Sequence, residues 1–125
     1  MHKYFPKLLL ILTSLLILIF ATAPGDWTPA WIVNHDKFSH MLVFFILALM
    51  LSLALPRMKL IIHTSTIILF ALSIESMQLM FAARGFSFED ILFDIAGLML
   101  FYLLVIWAKY KHLFAPLLQP KKDQT

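Results

Sequence analysis

At 125 residues, 62% hydrophobic and only 14% charged, the chain is too apolar for a soluble globular domain. A formal charge of +3 and a pI near 9.3 would suit nucleic acid on a soluble surface, but the basic residues here flank apolar runs, so no nucleic-acid partner is expected. The lack of cysteine excludes disulfides, thiolate metal ligands and a cysteine nucleophile.

The first apolar run, at about residues 8–23, follows Lys3 and Lys7 and ends in Ala21-Thr22-Ala23. It imitates a secretory signal with a small-residue cleavage site. Pro24 would sit just after the cut and obstruct the peptidase, so the segment is expected to stay as a membrane helix. Pro24-Gly25-Asp26 and Pro29 break the chain before a second run at about 38–55, and Pro56-Arg57-Met58-Lys59 breaks it again before a third at about 60–81. Beyond Arg84-Gly85 a fourth run covers about 91–108. Each is near the roughly 20 residues a spanning helix needs, and none alternates like a barrel strand. The expected fold class is all-α: a polytopic membrane bundle of about four transmembrane helices, one domain over 1–125 with a basic tail over 109–125.

Lys and Arg near the helix ends set the expected orientation. Lys3, Lys7, Arg57, Lys59, Lys109, Lys111, Lys121 and Lys122 fall on one side, leaving Lys37 and Arg84 opposite. The positive-inside rule makes the first group cytoplasmic, with both termini inside and the protein multi-pass in the cytoplasmic membrane. Of the seven acids, only Asp123 then lies inside. Tyr4, Tyr102, Trp107 and Tyr110 suit the inner aromatic belt, and Trp27, Trp31, Phe86 and Phe88 the outer one.

Polar residues then converge on the outer half from three stretches of chain. Asp36 and His40 are one turn apart on the second helix, with Lys37 between them. A capped helix start and a snorkelling lysine would account for Asp36 and Lys37, but His40 lies a turn inside. Glu75 and Gln78 share a face of the third helix. Glu75 sits about 9 Å below Phe81 at 1.5 Å per residue, so its carboxyl must face the bundle, find a partner or be protonated; Arg84 and His40 are the expected partners. Ser87 and Asp90 read as a capping box opening the fourth helix. Asp94 continues the Asp90 face one turn deeper, and Gly97 on the same stripe allows close helix approach, which buries Asp94. His63 carries no expectation.

Asp36-Lys37-x-x-His40, Glu75-x-x-Gln78, Arg84 and Ser87-x-x-Asp90-x-x-x-Asp94-x-x-Gly97 together resemble the VanZ-like family, whose founding member is associated with teicoplanin resistance. The resemblance covers about residues 36–101. Asp94 stands where the family pattern has asparagine, and Phe101 where it has a second glycine. Membership implies a small cell-envelope membrane protein without supplying a reaction.

The expected function is an outward-facing polar cup, formed by Asp36, Lys37, His40, Glu75, Gln78, Arg84, Ser87, Asp90 and Asp94, that binds an envelope lipid head group, a precursor or a partner and affects glycopeptide susceptibility. An intramembrane hydrolase or transferase using Glu75, Asp94 and His40 is the alternative, and a structural membrane subunit the third. The excess of carboxylates disfavours a tight phosphate site and suits a cation or an amine. No H-E-x-x-H, P-loop or dinucleotide motif is present, so neither a metal nor another cofactor is assigned. Membrane lipids are the expected partners.

Overall fold

The computed structural model describes residues 4–24, 27, 29–31, 35–81 and 85–114. Among the described residues it has four long helices, α1 (Phe5–Thr22), α2 (Asp36–Ala54), α3 (Leu60–Phe81) and α4 (Phe88–Phe114). All four are long and apolar enough to cross a membrane. The expected all-α, four-span architecture is the observed one.

Helix ends differ from the limits of the apolar runs because prolines, end charges and, for α4, the Ser87 cap act on them besides hydropathy. α1 begins at Phe5 with Pro6 in its first turn, where a missing N–H costs nothing. Before Pro24 the chain turns extended at Ala23. α4 begins at Phe88 rather than near 91, with Glu89 and Asp90 in its first turn, and runs on to Phe114 with Lys111 and His112 in its last. Those charges oppose the partial charges at the two helix ends.

Lipid rather than water covers the outside. Large apolar side chains such as Leu16, Ile61, Leu69, Leu92 and Leu103 are exposed. Such a surface would aggregate in water but is the expected one in a bilayer. Inside, Phe44, Leu47, Ala48 and Leu51 of α2 meet Ile67 and Ala71 of α3 and Leu98 and Phe101 of α4. Burial of apolar groups gives little driving force between helices in lipid, so close packing must supply it, and small residues allow that. Ala48 and Ala71 are fully buried for this reason. Gly97 takes it furthest: a Cβ there would lie 2.1 Å from the Met41 carbonyl oxygen and 3.0 Å from the Phe45 nitrogen.

Helix α1 packs its backbone close to α2 and α3 rather than α4, while α2 and α4 form the most extensive pair. Ala21 is the only buried residue of α1. The antiparallel course brings the start of α2, the end of α3 and the start of α4 to one end of the bundle. Lys7 of α1 lies with Leu53, Arg57 and Ile62 at the other.

Candidate functional site

His40 is the hub of the first end. It projects from the second turn of α2 and donates from Nδ1 to Asp94 Oδ1 of α4 at 2.8 Å. That contact leaves Nε2 3.8 Å from Asp36 Oδ1 and 3.9 Å from Asp90 Oδ2, within ion-pair range but too far to be hydrogen bonds. The hydrogen bond depends on Gly97, one turn beyond Asp94, because Gly97 seats α4 directly against the backbone of Met41, the residue after His40. Asp94 is only 1% exposed.

Glu75 is completely buried. Its Oε2 accepts the Ser87 backbone N–H at 3.1 Å, while Ser87 Oγ accepts the Asp90 N–H at 3.2 Å. Half of the expected capping box is therefore present: Ser87 caps Asp90. In the other half, Glu75 of α3 takes the amide that the Asp90 carboxylate was expected to take. One carboxylate thereby links the end of α3 to the start of α4. The expected partner Arg84 lies outside the described residues. His40, the other expected partner, contributes a donor atom that lies, with one oxygen each of Glu75 and Asp94, within 4.8 Å of the others.

Two oxygens remain without partners among the described residues, Glu75 Oε1 and Asp94 Oδ2, and both are buried. Buried carboxylate oxygens left unpaired are costly. Lys37 does not compensate, because it turns to the surface, pairs with Glu89 and lies 6.0 Å from the Phe93 ring centre. The structure thus separates the expected cup into the buried Glu75 and Asp94, a partly buried shell of Asp36, His40, Ser87 and Asp90 around them, and a peripheral Lys37.

Gln78, buried one turn beyond Glu75, belongs to a different feature. With Asp36, Ser39 and His40 it lines the polar end of a groove of about 400 Å³ between α1, α2 and α3. The rest of the groove is mostly apolar, with Leu16, Ile17 and Phe20 on α1, Val43 and Ile46 on α2 and Ile74 on α3.

The whole polar arrangement sits in a chain that matches the VanZ/LLP1 family over residues 7–109. The protein belongs to the VanZ/LLP1 family. No curated protein and no solved structure matches the chain. In this VanZ/LLP1 protein, Asp94 is the residue that receives the His40 proton donor.

A second polar centre was not anticipated. His63, 5% exposed, meets Tyr102 Oη through Nδ1 at 2.7 Å. Its Nε2 lies 3.1 Å from the Ala48 carbonyl oxygen and 3.0 Å from Ser52 Oγ. Thr64 Oγ1 adds a 2.8 Å bond to the Tyr102 hydroxyl, and Phe101 stacks on the imidazole. With both its nitrogens engaged, His63, in the first turn of α3, ties α2, α3 and α4 together toward the end of the bundle opposite His40, a structural role. The available signal was its pairing with Tyr102 near one membrane level, which needs helix rotations that the sequence does not give.

Proposed function

We propose that this VanZ/LLP1 protein is a membrane-embedded receptor for an amphiphile of the cell envelope, a lipid or lipid-linked precursor. The observation that carries the reading is that one groove, apolar over most of its length, opens onto Asp36, His40 and Gln78. An acyl or prenyl chain suits the apolar stretch, and a head group rich in hydrogen-bond donors suits the acidic end. The volume lies within the roughly 300–1,000 Å³ of small-ligand sites, and a few convergent polar groups on an apolar wall are their usual make-up. The distribution of Lys and Arg turns this end outward, away from the cytoplasm. By the family resemblance, loss of the protein is expected to change glycopeptide susceptibility.

Native mass spectrometry of the detergent-purified protein tests the reading. Wild type is expected to retain an envelope amphiphile that Val43→Trp, which fills the groove, loses while its melting temperature stays close to wild type. Equal retention by both, or none by wild type even after supply of total envelope lipid, refutes it and favours a structural subunit. The 2.8 Å His40–Asp94 contact favours an intramembrane acid–base enzyme as the second reading. Wild type but not His40→Gln would then convert the bound amphiphile, with a mass change, on prolonged incubation.

A further inference from the structure

We infer that His40, Glu75 and Asp94 form a binding site for one divalent transition-metal ion, of which zinc is the natural probe. The inference does not rest on an amphiphile in the groove, although His40 belongs to both sites. One donor atom from each of the three residues lies within 4.8 Å of the other two, and Glu75 and Asp94 are fully buried. Even at the full spacing, a point equidistant from all three lies about 2.8 Å from each donor. Small side-chain movements would bring that to the roughly 2.0–2.2 Å of zinc–nitrogen and zinc–oxygen bonds.

What separates this group from an ordinary acidic cluster is its pair of unsatisfied atoms. Glu75 Oε1 and Asp94 Oδ2 are buried without a hydrogen-bond partner among the described residues, although the other oxygen of each is engaged, by the Ser87 amide and by His40. Each carboxylate thus has one engaged oxygen and one without a partner among the described residues. The Ser87 amide is the kind of outer contact that orients a carboxylate ligand in a metal centre, while the His40–Asp94 bond would give way as both residues turn to the ion.

Charge points the same way. Two carboxylates and one neutral imidazole balance a divalent ion, which suits a low-dielectric interior better than the same acids alone. Asp36 and Asp90, 3.8 and 3.9 Å from His40 Nε2, stand beside the site as an acidic approach. The nitrogen–oxygen donor set favours zinc or manganese over a soft ion such as copper(I). Asp94 gives the site a second charged donor beside Glu75.

The test uses the full chain in detergent, stripped with a chelator, desalted and titrated with zinc chloride by calorimetry. Wild type is expected to bind one zinc per chain. Asp94→Asn, which keeps the side-chain shape, and Glu75→Gln are each expected to weaken binding at least tenfold. His112→Ala, which removes an exposed histidine at the far end of α4, is expected to bind like wild type. Should Glu75→Gln fail to fold, Asp94→Asn and the wild-type stoichiometry still decide. The inference is overturned if wild type takes up no zinc, or if folded Asp94→Asn binds as tightly as wild type.

Discussion

Gly97→Ala is the sharpest single perturbation of this bundle, because it adds one carbon at the closest approach of two helices. The new Cβ would lie 2.1 Å from the Met41 carbonyl oxygen and 3.0 Å from both the Met41 carbonyl carbon and the Phe45 nitrogen. All three are backbone atoms of α2, so no side chain can rotate away. Restoring an ordinary carbon–oxygen contact of about 3.3 Å requires α4 to retreat by about 1 Å, and overpacking of this kind costs about 1–3 kcal/mol or more. Against this stands a gain of about 1 kcal/mol from replacing glycine by alanine within a helix. Packing wins, because the retreat also weakens the contacts of Leu98 and Phe101 with the α2 core. It also acts on the site. Asp94 is one turn from Gly97 and His40 adjoins Met41, so the 2.8 Å His40–Asp94 bond would stretch beyond hydrogen-bond range. Thermal unfolding followed by circular dichroism in detergent should show a lower melting temperature for Gly97→Ala, and a histidine NMR resonance should report the lost bond. A melting temperature at or above wild type would refute the close approach of α2 and α4 on which the site depends.

Tyr102→Phe removes the hydroxyl that meets both His63 and Thr64, and is expected to cost about 1 kcal/mol. Unchanged stability in a reversible unfolding titration would show that the network contributes nothing. Lys37→Gln, at an exposed ion pair, is expected to leave the melting temperature unchanged; a clear drop would place Lys37 in the partly buried shell after all. The absence of native cysteine makes orientation directly measurable. An impermeant thiol reagent on intact cells is expected to label cysteine at Gly85 and not at Met58, and the reverse pattern would invert the protein in the membrane.

Length and hydropathy determine four helices and their alternating direction, and these alone bring Asp36, His40, Glu75, Ser87, Asp90 and Asp94 to one end of the bundle. The burial of Glu75 and Asp94 also follows from the sequence, because a carboxylate facing hydrocarbon is too costly. Which of these groups touch does not follow. In a soluble protein an amphipathic stripe reveals the inward face of each helix, but here the lipid-facing and buried faces are equally apolar. Leu69 faces outward and Ile67 inward on the same helix. The rotation of each helix is fixed instead by contacts between distant residues, above all the seating of Gly97 on Met41. That packing joins His40 to Asp94 and the Ser87 amide to Glu75, and leaves Lys37 at the periphery. The His63 centre, and the groove that α1 completes against α2 and α3, likewise exist only once the helices are packed, because their parts come from different helices and no local rule of sequence relates them.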